Sequence, residues 1–169
     1  FFWKETNKRT DEYGGDLVGR TRFASRIIHA VRKAVGSQFP IIFRFSQWKT
    51  GHYDAKLART PVELEDFLTP LTEAGVDIFD CSTRRFWEPE FEGSRLNLAG
   101  WTKKLTGKPA ISVGSVGLNR EFTNVFDGGP EAEAASIDPL VERMQAGEFD
   151  LIAVGRALLA DAEWAQKVH

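Results

Sequence analysis

The sequence predicts an α/β fold built on a parallel sheet, and three observations carry that prediction. Four short apolar runs, Ile41–Ser46, Val76–Cys81, Ala110–Val113 and Leu151–Val154, lack clean period-two alternation, as suits parallel strands covered on both faces. Amphipathic helical stretches alternate with these runs, so that strand, loop and helix recur along the chain. The last two runs break into glycine turns, at Gly114-Ser-Val-Gly117 and at Gly155-Arg156.

Each element has its own signal. A helix is expected from about Asp16 to Val35, because Leu17, Ala24, Ile28, Val31 and Val35 fall at three- and four-residue spacing, with Arg20, Arg22, Arg26 and Lys33 over much of the rest. Gly36 ends it. After the Ile41–Ser46 strand, Thr60 can cap a second helix, Pro61 fits its first position and Glu63 completes a capping box before Leu64, Phe67, Leu68 and Leu71, with Gly75 as the stop. The Val76–Cys81 strand leads to a short helix over Leu98–Leu105, closed by Gly107 and Pro109. Beyond the Ala110–Val113 strand, the acidic, glycine-bearing stretch Leu118–Ala135 reads as a surface excursion. A helix after Ser136 carries Leu140, Val141 and Met144 and closes at Gly147; a last one starts near Asp161, beyond the Leu151–Val154 strand, and carries Trp164 and Val168.

Composition narrows the function. A chain of 169 residues, 42% hydrophobic and 27% charged, forms one domain with a sizeable core. Its net charge of −2 gives no electrostatic footprint for nucleic acid or an anionic membrane, and no apolar run approaches the roughly 20 residues of a spanning helix. The lone cysteine, Cys81, excludes an internal disulfide and fits a reducing compartment, so a cytoplasmic location is expected. The start at Phe1-Phe2-Trp3 has no initiator methionine and reads as a cut. His29, His52 and His169 are scattered, which leaves metal binding unsupported.

Candidate site residues cluster at strand ends. Gly114 and Gly155 leave no Cβ in the way of backbone N–H groups closing on a phosphate, and Arg156 adds a fixed positive charge. In α/β barrels, phosphates sit where the loops after strands seven and eight meet. The plainer alternative is that both glycines serve only the turns, and no G-x-G-x-x-G fingerprint is present. Arg44 interrupts an apolar strand, so its guanidinium needs an anionic partner: a ligand, or Asp77 or Asp80 on the next strand. Cys81, in Asp80-Cys-Ser82, reads as a small buried hydrophobe. The long loops Gln47–Arg59 and Thr83–Asn97 lie on the side where such sheets bind ligands. In the second, Arg84, Arg85, Phe86 and Trp87 suit stacking on a planar ring or gripping an anionic cosubstrate; the alternative is a loop anchored by its own aromatics.

At Asn7-Lys-Arg-Thr-Asp-Glu-Tyr-Gly-Gly15, followed by Arg20-Thr-Arg-Phe23, the sequence resembles the Old Yellow Enzyme family of NADH:flavin oxidoreductases. The resemblance continues through Phe43-Arg-Phe-Ser46, Val113-Gly-Ser115 and Gly147–Asp161. It implies the C-terminal half, strands five to eight, of a TIM (β/α)8 barrel that holds FMN and takes hydride from NADH or NADPH, passing it to an activated alkene or a similar acceptor. Carried over to this chain, it implies that Arg44 contacts the flavin pyrimidine, that Gly114 and Ser115 bind the FMN phosphate, and that Gly155 and Arg156 close its other side. The family's carbonyl-polarising pair and proton-donating tyrosine lie upstream of Phe1, so no catalytic residue is assigned. Val18-Gly19 and Ala162 depart from the family's common Glu-Asn and proline.

Two further readings stay open beside this one. The chain alone is an inactive half-barrel that needs the missing N-terminal half or self-association through its open sheet edges; or it is part of another phosphate-binding TIM-barrel enzyme.

Overall fold

A computed structural model describes residues 1–121 and 128–168. Its elements alternate as α1 (Leu17–Val35), β1 (Ile42–Ser46), α2 (Pro61–Ala74), β2 (Ile78–Ser82), α3 (Leu98–Thr106), β3 (Ala110–Val113), α4 (Asp138–Gln145), β4 (Leu151–Ala153), α5 (Arg156–Ala160) and α6 (Trp164–Lys167). The strands form one parallel sheet in the order β1-β2-β3-β4, each paired with the next in the chain. This is the β/α arrangement of strands five to eight of a TIM barrel, with the helices on one face.

The pleat sorts the side chains. Phe43, Phe45, Phe79, Cys81, Ala110 and Ser112 turn toward the helices, where Phe45 lies 5.3 Å from Phe67 of α2 and Cys81 Sγ 3.5 Å from Thr102 Oγ1 of α3. Leu64, Phe67, Leu68 and Leu71 of α2, buried completely, fill the middle of this core. Alternate residues take the concave face. On it Ile42 pairs with Ile78, and one step further along the strands Ile111 stands between Asp80 and Leu151; Ile42 and Leu151 on the two outer strands are 54% and 49% exposed.

Helix ends follow their local chemistry. Thr60 Oγ1 accepts from Glu63 N at 3.2 Å while the Glu63 carboxylate accepts from Arg59 N, and left-handed Gly75 closes α2. Asp16 caps α1 through Gly19 N rather than joining the helix, as the sequence had implied. The Asn7–Gly15 motif holds the N-terminal segment against α1: Asn7 Nδ2 donates to the carbonyls of Phe1 and Tyr13, and Arg20 donates to those of Phe2 and Gly15. A Cβ on Gly14 would collide with the Arg9 carbonyl. Phe2, so tied, packs edge-on against Phe67 at 5.1 Å.

Two elements differ from expectation. β2 begins at Ile78, two residues after the expected Val76, because Asp77 leaves the ladder: its Oδ2 accepts from Ile41 N at 2.8 Å and pairs with Arg32. A turn was expected at Gly155-Arg156, and the five-residue helix α5 starts there instead. Of the Leu118–Ala135 excursion, residues 122–127 lie outside the described residues; on either side of them Leu118 bridges to Ala134.

Candidate functional site

The C-terminal ends of all four strands open onto one cleft of ≈ 420 Å³, within the roughly 300–1,000 Å³ range of small-molecule sites. Arg44, Gly114, Ser115, Gly155 and Arg156 all line it, as does Arg84. Residues chosen one by one along 113 positions of sequence therefore converge on one place. Parallel pairing in chain order is what brings the turn after β3 beside the turn after β4.

The two glycines do different work. Gly114 has φ +142°, and a Cβ there would stand 2.6 Å from the Thr83 carbonyl oxygen, so its bareness makes room for the neighbouring turn rather than for a ligand. At Gly155 a Cβ would meet nothing within 4 Å, which leaves the backbone open on the cleft side. Between them, Arg156 Nη2 donates to Ser115 Oγ at 3.0 Å and to the Arg120 carbonyl at 2.8 Å. Ser115 Oγ also stands 2.8 Å from the Arg84 carbonyl and 2.9 Å from that of Arg120. Ser115, at φ +53°, is held in the left-handed region by this ring of bonds. Burial lowers the Arg156 guanidinium from its ordinary value, with Glu121 opposing, yet arginine stays charged at any working pH. This donor set, a partly desolvated guanidinium beside bare backbone at Gly155, fits a phosphate.

Arg44 corrects the expectation of a buried guanidinium. Its side chain is 68% exposed, because it stands on the concave face that a four-stranded sheet leaves open. Arg44 Nε donates to Ser82 Oγ at 2.7 Å and lies 3.7 Å from Asp80 Oδ2; of the two carboxylates considered, Asp80 is its neighbour and Asp77 belongs to Arg32. Among the described residues, no hydrogen bond engages its terminal nitrogens.

The Arg84–Trp87 segment also differs from expectation. Phe86 is buried in the core, and its carbonyl accepts from Asn97 Nδ2, so its ring cannot stack on a ligand. Trp87, half-buried, packs edge-on to Phe86 at 5.1 Å, and its carbonyl accepts from Arg143. Arg85 is committed to Glu88 and Glu121, and Arg84 Nη2 donates to Glu121 Oε1 at 2.6 Å. Of the alternative, a loop anchored by its own aromatics, the structure shows Phe86 buried and packed on Trp87, while Glu121 and Arg143, from outside the loop, hold the rest; of the four only Arg84 lines the cleft.

Glu121 is the residue that sequence reasoning missed. Its side chain is only 4% exposed; burial pushes its carboxyl up, but the bonds from Arg85 and Arg84 and from its own backbone outweigh this and hold it at about 2. Burial also pushes the Cys81 thiol up, and there it prevails over the Thr102 bond and raises the thiol to about 12. Among the described residues no cluster of three or more His, Cys, Asp or Glu could hold a metal, and no helix is long and apolar enough to cross a membrane.

Comparison with known proteins decides the family, which matches over residues 1–169. The chain belongs to the NADH:flavin oxidoreductase / NADH oxidase family. It is 35% identical over 178 aligned residues to the NADH oxidase of Thermoanaerobacter brockii, covering 99% of this chain and 24% of that protein. With the NADPH dehydrogenase of Bacillus cytotoxicus the identity is 32%, over 91% of this chain and 38% of the relative. The Old Yellow Enzyme homologue of Zymomonas mobilis superposes with a TM-score of 0.63 at 15% identity, covering 97% of this chain and 41% of that one. The chain thus spans about a quarter to two fifths of the length of these relatives. Family membership removes the ground for reading the cleft as that of an unrelated phosphate-binding barrel.

Proposed function

We propose that this chain is the cofactor-phosphate half of an FMN-dependent oxidoreductase that takes hydride from NADH or NADPH and delivers it to an activated alkene or a similar acceptor. One observation carries the reading: Arg44, Gly114, Ser115, Gly155 and Arg156 line a single cleft at the strand C-termini of a chain in this family. Arg156, Ser115 and the open backbone at Gly155 would hold the phosphate of FMN. Arg44 would set a fixed positive charge against the flavin pyrimidine and stabilise negative charge there. When bound, FMN supplies hydride transfer at a potential the protein tunes.

Four strands do not close a barrel of eight. The outer strands β1 and β4, and the exposed Ile42 and Leu151 beside them, are the surfaces that further parallel strands would cover, supplied by an N-terminal half-barrel or by a second copy. On this reading the 169-residue chain alone turns over little.

Titration of the purified chain with FMN, followed by quenching of flavin fluorescence, tests the phosphate site. Arg156→Ala is expected to weaken binding by about 10- to 100-fold, the loss of a charge-assisted hydrogen bond, and Arg44→Ala by about tenfold. Wild-type affinity in both variants would overturn the assignment. Solution mass and NADH-dependent reduction of an enone, measured on the same preparation, check the oligomeric state and the expected low turnover.

A further inference from the structure

The short helix α6 has no part in the chemistry described so far, yet its aromatic residue lies on the turn that follows β3. Gly117, at φ +70°, sits under the Trp164 indole: a Cβ there would stand 3.0 Å from both Cζ2 and Nε1 and 3.2 Å from Cε2. The ring thus rests on bare backbone, and it packs against the hydrophobic core as well.

Gly117 is the third residue of a reverse turn. Leu118 N donates to the Ser115 carbonyl at 3.1 Å, and glycine supplies the positive φ that the third position takes. The first residue of this turn is Ser115, whose Oγ accepts from Arg156 Nη2 at 3.0 Å. Trp164 is tied to the same arginine through the chain. Arg156 opens α5, Asp161 closes it by donating from its N to the Ala157 carbonyl at 2.9 Å, and Trp164 N donates to the Asp161 carbonyl at 3.1 Å. Lys167 Nζ donates to Asp161 Oδ2 at 2.8 Å and braces the corner between the two helices. The turns after β3 and β4 are therefore joined twice, by the Arg156–Ser115 hydrogen bond and by the indole on Gly117.

The second join matters because the first is made by a residue in an unfavourable conformation. Ser115 stands at φ +53°, which a residue with a side chain keeps only where its surroundings impose it. Taking the indole away empties the space over Gly117 and lets Ser115 relax, which carries its hydroxyl away from Arg156. Trp164 is not among the described residues that line the cleft, so it acts on a ligand only through this turn.

We infer that Trp164 is a positioning residue for the cofactor phosphate: its indole, laid over Gly117, holds the Ser115–Leu118 turn in the form in which Ser115 meets Arg156. The identity of the ligand rests on the flavin reading above; the hold on the turn belongs to the chain whether or not flavin binds.

The test compares wild type, Trp164→Ala and Trp164→Phe in the 169-residue chain by titration with FMN, titration with riboflavin, which lacks the phosphate, and amide hydrogen exchange. Trp164→Ala is expected to weaken FMN by about tenfold, the loss of one hydrogen bond to a charged group, and riboflavin by less than about twofold. Trp164→Phe, which keeps a flat ring, should recover most of the FMN affinity. The Leu118 amide should exchange about tenfold faster in Trp164→Ala while the α2 amides keep their wild-type rates, which separates a loosened turn from a destabilised chain. Trp164→Leu, run beside it, keeps apolar bulk without the flat ring and should show the same pattern more weakly. Equal losses of FMN and riboflavin, unchanged FMN affinity, or an unchanged Leu118 exchange rate would overturn the inference. Wild-type FMN affinity in Arg156→Ala would remove the phosphate reading instead, and Leu118 exchange would then decide by itself whether Trp164 holds the turn.

Discussion

Replacing Glu121 with glutamine removes the one carboxylate that ties two arginines of the β2 loop to the turn after β3. A carboxyl held at about 2 instead of its ordinary 4.5 corresponds to about 3 kcal/mol of native stability at neutral pH. Arg84 and Arg85 are 25% and 31% exposed, so solvent screening trims the figure to about 2–3 kcal/mol. For a chain of this length that lowers the melting temperature by about 5–10 °C. The sign is fixed by linkage: the carboxyl titrates lower in the folded state, so its contribution is complete above the ordinary value and disappears as pH falls toward 2. Urea unfolding of wild type, Glu121→Gln and the half-exposed control Glu88→Gln, from neutral pH down to about pH 3, measures it. The deficit of Glu121→Gln should be full at neutral pH and shrink below about pH 4.5. A deficit that stays constant with pH, or one no larger than that of Glu88→Gln, would refute the reasoning.

Further outcomes follow from the same structure. Gly114→Ala should destabilise the chain by about 2 kcal/mol or more, since the new methyl meets the Thr83 carbonyl at a positive φ, whereas Gly155→Ala should leave thermal stability within about 0.5 kcal/mol and weaken FMN. Melting curves and flavin titrations of the two variants read this contrast. Cys81, buried with its thiol raised to about 12, should resist iodoacetamide in the native state at mildly alkaline pH and react once urea is added, as mass spectrometry will register. Asp77→Asn should cut thermal stability through Arg32 and Ile41 N; burial works against the charged form, but the bonds from Ile41 N and Arg32 prevail and leave the carboxyl below its ordinary value, so this loss too fades in acid.

Much of the fold was legible because its signals are local. Thr60, Pro61, Glu63 and Gly75 announce α2 through capping chemistry that acts within one turn, and the apolar runs announce strands because a sheet covered by helices needs them. What escaped depends on distant partners. Asp77 leaves its strand for Arg32, 45 residues upstream, and nothing in Val76-Asp77-Ile78 records that tie. Glu121 sits at the edge of an acidic stretch, yet its role comes from Arg84 and Arg85, more than 30 residues away. α5 spans only Arg156–Ala160, too short for a helical period to declare itself. Arg44 was placed on the right strand, but which side of the sheet meets solvent depends on strand number, which its apolar neighbours do not encode. The cleft residues themselves were legible because glycine turns at two successive strand ends are sequence features, and parallel pairing in chain order makes successive ends spatial neighbours.

The turns after β2 and β3 are stitched to each other. Thr83 Oγ1 donates to the Val113 carbonyl, Phe86 N donates to the Gly114 carbonyl at 3.1 Å, and Thr83 fills the space that a side chain at Gly114 would need. Substitutions that reshape one turn therefore drag the other, so the walls that β2 and β3 give the cleft shift together.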